Sequence, residues 1–187
     1  MKYFILLIIV FVGLTMISIR VSLGDDDEYE LKRYTLFERQ PGVAPVKNRL
    51  YEQECSSCHF AYPPGLLPAK SWQAVMSGLD DHFGENAELA EADRKAIQDY
   101  LLRNSADKSE LRRSKKIMRS ASGTEMPLRI TDLAYFKREH GEIPARLVKD
   151  NPKVGSFSQC DRCHQDAKNG FFSENKINIP GYGRWDD

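Results

Sequence analysis

Two five-residue segments carry the most pointed chemistry in this chain. They are Cys55-Ser56-Ser57-Cys58-His59 and Cys160-Asp161-Arg162-Cys163-His164, and together they hold all four cysteines of the 187-residue sequence. C-x-x-C-H is the attachment signature of c-type haem. The spacing has a chemical reason. Two thiols three positions apart can form thioethers with the two vinyl groups of one porphyrin. The adjacent histidine is then carried under the iron, which accepts a proximal imidazole. The pattern therefore implies two covalently bound haems c, one on Cys55 and Cys58 with His59, the other on Cys160 and Cys163 with His164.

Other cysteine chemistries fit less well. Paired C-x-x-C motifs that share a zinc ion are usually separated by about 15–20 residues. Here 101 residues lie between Cys58 and Cys160, and zinc does not explain a histidine after each pair. Thioredoxin-like redox motifs need a βαβ setting, and no alternating strand pattern flanks either pair. Structural disulfides suit an exported chain, but they do not require all the cysteines to fall into C-x-x-C-H twice.

The sequence has four histidines, so His82 and His140 remain after the motifs are counted. Six-coordinate haem needs one further ligand per iron, and the count closes if both serve. His82 lies 23 residues after His59, and His140 lies 24 before His164. Either span can loop around a porphyrin. A local pairing joins His59 with His82 and His164 with His140, while a crossed pairing would interleave the halves. Methionine is the rival ligand. Met76, Met118 and Met126 are the candidates, although Met76 fits an apolar helix stripe and reads as core.

The elements around these residues follow from periodicity and caps. A first helix is expected from Pro45, a residue suited to a first turn, through Leu50 and Tyr51 into Cys55. A loop, Ala61 to Pro68, follows, and its carbonyls are candidates to orient His59 through the second imidazole nitrogen. Ser71 is expected to cap a helix with Trp72, Val75, Met76, Leu79 and Phe83 inward, His82 at its end and Gly84 as its stop. Residues 88–104 read as a helix with Leu89, Ala92, Ala96, Ile97, Tyr100 and Leu101 inward. Thr131 is expected to cap a short helix that puts Phe136 and His140 on one face, with Gly141 as stop. The charged run Ser109 to Lys116 reads as a solvated helix joining the halves, with docking of an acidic partner or a haem propionate as the alternative for its basic cluster. The tail from Phe171 to Asp187 reads as an irregular wrap.

The N-terminus looks like an export segment. Met1-Lys2 precedes Phe4 to Ile19, which is 16 residues without charge, and Ser22-Leu23-Gly24 is a small-x-small site before three aspartates. That is the pattern of a signal peptide. An uncleaved membrane anchor is the alternative, although a span needs about 20 apolar residues. Both send the rest of the chain across a membrane. The expected organisation is a signal peptide or anchor over 1–24, a leader over 25–44, a haem domain over 45–105, a charged linker over 106–128 and a second haem domain over 129–187. The last has some 59 residues, marginal for an unaided core, so it should depend on its haem for folding.

Composition narrows the function classes. Basic and acidic residues number 27 each, so there is no basic footprint for nucleic acid. No Gly-rich phosphate loop is present. No Ser/His/Asp triad is available if every histidine is committed to iron, and Asp80-Asp81 beside His82 suffices as a polar helix end.

The first half resembles class I c-type cytochromes, with C-x-x-C-H after a helix, a Pro-rich loop and a closing helix bearing Tyr100-Leu101. It departs from them where methionine usually coordinates, offering His82-Phe83-Gly84-Glu85-Asn86-Ala87. That segment, with Trp72, His140-Gly141-Glu142-Ile143, the second motif, Phe171-Phe172 and Ile179-Pro180, is similar to the bacterial dihaem cytochrome c (DHC) family over about residues 45–182. The resemblance implies a mainly α fold, with a class I cytochrome c-like first half and a small, largely irregular, haem-wrapped second half. It also implies a periplasmic electron-transfer protein, not an enzyme, with two bis-histidine haems. Its expected partners are a membrane b-type cytochrome as donor and a soluble monohaem cytochrome of the sphaeroides haem protein type as acceptor. The alternatives are a dihaem enzyme with one open haem, such as a peroxidase or small-ligand reductase, or a dihaem subunit of a periplasmic reductase.

Overall fold

The computed structural model of the chain describes residues 40–121 and 127–185. The export segment 1–24, most of the leader 25–44 and Met126 lie outside the described residues. Among those described, six α-helices, seven short 3-10 turns and one small hairpin make a mainly helical fold. No helix among them is long and apolar enough to cross a membrane.

Helix α1, Arg49–Cys55, starts four residues later than Pro45 suggested. Asn48 takes the cap position because its side chain accepts the Tyr51 N–H at 2.9 Å. A 3-10 turn at Pro64–Leu66 follows. Helix α2, Ala69–Ser77, begins two residues before Ser71, which is buried inside its first turn and is not the cap. The Ala69 N–H is satisfied instead by the carboxylate of Asp107 at 2.7 Å, a partner supplied by tertiary structure. Helix α2 ends at Gly78, not Gly84. A second 3-10 turn, Leu79–Asp81, then delivers His82.

Helix α3, Glu91–Arg103, buries Ile97 and Leu101 and half-buries Tyr100. Ala92 and Ala96, expected inward, are exposed. Helix α4, Arg112–Ser120, is the charged segment expected to be solvated. Its inner face is instead buried through Ser114 and Ile117, and the Ser114 hydroxyl donates to the Gly65 carbonyl at 2.9 Å. The lysines and arginines of this helix thus frame a narrow apolar stripe.

Helix α5, Ala134–Glu139, follows a 3-10 turn at Ile130–Asp132, and Leu133, not Thr131, precedes it. Helix α6, Cys160–Cys163, is one turn long and contains the second cysteine pair. The tail is irregular apart from an antiparallel hairpin of β1, Asn178–Ile179, with β2, Gly183–Arg184.

Residues 41–187 share one unit. Its main core runs from Val43, Tyr51, Trp72, Met76, Ile97 and Leu101 through Ile117 to Leu133, Tyr135 and Phe172. A smaller cluster of Leu147, Ile177 and Ile179 lies under the hairpin. Residues early and late in the chain meet directly. The Gly42 N–H donates to the Gly170 carbonyl at 2.9 Å, and the Arg113 N–H to the Gly42 carbonyl at 3.0 Å.

Gly170 has no room for a side chain. Its φ is +81°, and a Cβ there would sit 2.1 Å from the Val43 carbonyl oxygen. Gly155 has a similar φ of +80° but open space around it. Gly155→Ala should therefore cost about 1 kcal/mol for conformation alone. Gly170→Ala should cost about 2 kcal/mol or more. Denaturant unfolding of the two purified variants checks the order, and equal losses would contradict the docking of segment 41–43 on residue 170.

Candidate functional site

The C-x-x-C-H segments sit where a helix stops. Cys55 closes α1, half-buried, and Cys58 is exposed on the turn that carries His59. Cys160 and Cys163 lie on α6, and His164 caps it with its N–H on the Cys160 carbonyl at 2.8 Å. None of the four cysteines forms a disulfide. Burial pushes the Cys55 thiol up to about 11 and the Cys160 thiol up to about 12, and it raises Cys163 as well. Such groups stay as thiols near neutral pH.

The four histidines come together as two facing pairs. The rings of His59 and His82 lie 6.4 Å apart between centres. Those of His140 and His164 lie 6.1 Å apart. Both pairs follow the local pairing, even though the two halves of the chain share a core.

His59 is held from two sides. Its Nδ1 donates to the Phe60 carbonyl at 2.9 Å, and its ring stacks on Tyr62 at 4.3 Å. The Ala61 to Pro68 loop, expected to supply that acceptor, uses its carbonyls elsewhere. The Tyr62 carbonyl accepts from the Tyr51 hydroxyl at 3.0 Å, and the Pro64 carbonyl from the Trp72 indole at 2.7 Å. These bonds fasten α1 and α2 to the loop around the first site.

His82 sits on a tight reversal. Its N–H donates to the Glu85 carbonyl at 2.7 Å, and the Asp81 carboxylate accepts the Gly84 N–H at 2.9 Å. Between them Phe83 adopts φ +60°, a left-handed conformation that is strained for a bulky residue. Phe83 is 42% exposed and lies under the Arg129 guanidinium at 3.8 Å, so it leaves the apolar stripe on which the sequence pattern had put it. Met76 is buried in the core.

The second pair lines a cavity of about 1060 Å³, counted out to its open mouth. Its wall includes Cys160, Cys163, Leu133, Ile177, Ile179 and Trp185. His140 follows α5, stacks on Phe136 at 3.8 Å, and donates Nδ1–H to the Phe136 carbonyl at 3.0 Å. Phe157 meets His140 edge-on at 6.2 Å, and Phe172 meets His164 at 5.3 Å. With Nδ1 engaged on His59 and His140, Nε2 is the nitrogen left to face a metal.

The residues fit haem on three counts. Two metal–imidazole bonds of about 2.0–2.1 Å each, plus half of each ring, span roughly 6 Å, which is the separation both pairs show. Each pair includes the histidine of a C-x-x-C-H segment whose thiols are unpaired. The second pair opens on an apolar cavity, as a porphyrin requires. Among the described residues no three or more His, Cys, Asp and Glu side chains converge to hold a bare metal ion.

Sequence reasoning missed Tyr62 and Phe157, and it singled out Arg113 only as one member of a basic cluster. Tyr62 and Phe157 had no periodic pattern around them, although their closeness to the motifs, three residues after His59 and three before Cys160, was a usable signal.

These features define a mainly helical c-type haem protein with two centres. A profile of the dihaem cytochrome c family, DHC, matches residues 51–172. The chain belongs to that family. Among solved structures it is similar to the dihaem cytochrome c of Shewanella baltica OS155, with 45% identity over 74% of this chain and 98% of that one, at a TM-score of 0.61. It is also similar to a dihaem cytochrome c from Rhodobacter sphaeroides, with 44% identity over 70% and 100% of the two chains, at a TM-score of 0.62. No curated protein sequence matches it. As a family member it carries two c-type haems and is an electron-transfer haem protein.

The imidazoles also make a statement about pH. Burial, then the neighbouring His140, then Arg113 hold His164 down from 6.5 to about 3. Burial also lowers His140 and His82. The unfolded chain takes up these protons below its ordinary value of 6.5, and the folded chain resists. Stability should therefore be level above pH 6.5 and fall as pH drops below it, with the loss continuing toward about 3. Bonding to iron acts in the same direction, because a protonated imidazole cannot ligate. Denaturant midpoints taken between pH 6.5 and about 5, above the carboxylate range, isolate the histidines. A flat or rising stability in that window would contradict the neutral pairs.

Proposed function

We propose that this chain is an exported, periplasmic electron carrier with two bis-histidine haems. Cys55 and Cys58 tether the first and His59 with His82 ligate it. Cys160 and Cys163 tether the second and His140 with His164 ligate it. The observation that supports this most directly is the pair of imidazole separations, 6.4 and 6.1 Å, each pair containing a C-x-x-C-H histidine.

On binding, each thiol would add across a vinyl double bond, breaking S–H and the vinyl π bond to form C–S and C–H, so that each haem would gain two covalent links. A haem so held supplies a one-electron iron couple, with a potential tuned by ligand, burial and hydrogen bonding. The chain's part is to fix both axial nitrogens. The Phe60 and Phe136 carbonyls hold His59 and His140 by Nδ1 and set their ring orientation. The reversal at Phe83 aims His82. Phe136, Phe157 and Phe172 pack around the second pair and fix its ring orientations.

With His59 and His82 holding one iron and His140 and His164 the other, substrate would have no open site on either, which supports a carrier role in preference to an enzyme. Bis-imidazole ligation favours lower potentials than methionine ligation. The apolar run Phe4 to Ile19 ahead of Ser22-Leu23-Gly24 supports export. On the family resemblance, the donor is a membrane b-type cytochrome and the acceptor a soluble monohaem cytochrome of the sphaeroides haem protein type.

Low-temperature electron paramagnetic resonance of the oxidised protein tests the ligand set. Two low-spin bis-imidazole signals and two covalently bound irons per chain are expected. His82→Met and His140→Ala should each disturb one signal and leave the other unchanged. A resting high-spin centre, or carbon monoxide binding at one reduced haem, would instead point to the open-haem enzyme. A substitution that perturbs both signals would contradict the local pairing.

A further inference from the structure

Arg113 is a fixed charge beside the second pair that the ligand sets do not use. It projects from α4 and lines the same cavity as His140 and His164. Its guanidinium is pinned by neutral partners. One nitrogen, Nη1, donates to the Tyr135 hydroxyl at 2.6 Å, and Nη2 donates to the Phe172 carbonyl at 2.7 Å. The group lies 5.4 Å from the centre of the Phe172 ring, and that ring lies 5.3 Å from the ring of His164. Behind it, Gly42 leaves just enough space, since a Cβ there would meet Nε at 3.1 Å. Nε itself is buried without a partner.

The guanidinium is therefore held in place, and no side-chain carboxylate among the described residues pairs with it at contact, although Glu139 bonds the Tyr135 hydroxyl and acts on His140 in the opposite sense. None of the ion pairs among the described residues includes Arg113. Glu139, which lines the same cavity, is paired with Arg138 at 2.9 Å. In an apolar wall a charge acts over several ångströms with little screening. The first pair is placed differently with respect to charge. The cation beside His82 is Arg129, which lies exposed over Phe83, where water and salt screen it.

We propose that Arg113 tunes the second haem, its fixed positive charge opposing the extra positive charge of the oxidised iron and so raising that haem's midpoint potential. This rests on His140 and His164 being the ligands of one haem. Arg113 is a tuning and positioning residue and touches neither iron nor the tethers. Its effect favours electron residence on the second haem relative to the same site without the charge.

Spectroelectrochemical titration of the holoprotein and of Arg113→Gln and Arg113→Lys tests this. Arg113→Gln should move one midpoint to lower potential, by about a tenfold change in that haem's redox equilibrium, or 59 mV for one electron, and leave the other in place. Arg113→Lys also loses the fork to Tyr135 and Phe172 but keeps the charge, so its midpoints should stay near those of the parent. Equal shifts in the two variants would make Arg113 a packing residue and overturn the proposal, as would no shift in either. Should Arg113→Gln not retain haem, Arg113→Met removes the same charge and reads the same shift. Loss of holoprotein in both neutral variants, but not in Arg113→Lys, would assign the charge to assembly and also overturn tuning. Failure of the underlying ligand reading is seen separately, as a parent protein without two low-spin bis-imidazole signals.

Discussion

Two imidazoles facing each other across a gap of one metal atom form an unfavourable arrangement for a bare chain. Each ring is a partly buried side chain held in one orientation, and a polar group drawn out of water without a partner costs free energy. Both pairs nevertheless stand at the same separation, within a few tenths of an ångström. The surrounding structure must therefore impose the geometry, and it does so differently at the two sites. At the first, a hydrogen-bonded loop and a strained turn do the holding. Phe83 at φ +60° stores on the order of 1–3 kcal/mol of backbone strain, which the reversal from His82 to Glu85 requires. At the second, aromatic packing does it, with His140 stacked on Phe136 and His164 edged by Phe172.

The two sites are mechanically joined. The Tyr62 ring stacks on His59 while its hydroxyl donates to the Ser158 carbonyl at 2.7 Å, two residues before Cys160. The Gln159 side chain donates to the Cys58 carbonyl at 3.2 Å. The two cysteine motifs, separated by 101 residues in sequence, thus touch through hydrogen bonds. Helix α4 completes the join, with Ser114 on the Gly65 carbonyl near the first site and Arg113 on the Phe172 carbonyl at the second. A displacement at one site therefore meets resistance from the other, which suits a protein that must keep two redox centres at a constant separation.

How much of this was legible depended on the range of the interaction. The thioether and proximal-ligand chemistry is local, so C-x-x-C-H spacing alone exposed Cys55, Cys58, His59, Cys160, Cys163 and His164. Counting the remaining histidines against open positions on iron singled out His82 and His140 as candidates, and the fold sets their rings opposite His59 and His164. Helix boundaries were less legible. Pro45, Ser71 and Thr131 are reasonable starts by propensity, but Asn48, the distant Asp107 carboxylate and the 3-10 turn at Ile130–Asp132 won through hydrogen bonds that a local window does not contain. Helix α4 was misread for the same reason. Seven of its nine residues are polar, and only tertiary contact shows that Ser114 and Ile117 face inward.

The second half of the chain shows what the haem contributes beyond redox chemistry. Its own apolar cluster is Leu147, Ile177 and Ile179, with Ile143, Cys163 and Trp185 packed on it. Leu133, Tyr135, Ala167 and Phe172 of this half join the main core, but the cluster under the hairpin alone is too small to offset the conformational entropy of ordering the irregular segment around it. The wall of the cavity is drawn from α4, α5, the Ser156-Phe157 approach, α6 and the hairpin, all converging on one apolar space. These segments make few regular hydrogen-bonded contacts with one another, and the hairpin has only two residues in each strand. What they share is the cavity. A rigid apolar disc tied by two thioethers and two axial nitrogens would give each of them a surface to bury against, and would shorten the loops of the unfolded chain in the manner of a cross-link. The irregularity of this half is then a consequence of its packing partner: where the core is a cofactor, the chain around it has no need to pair with itself.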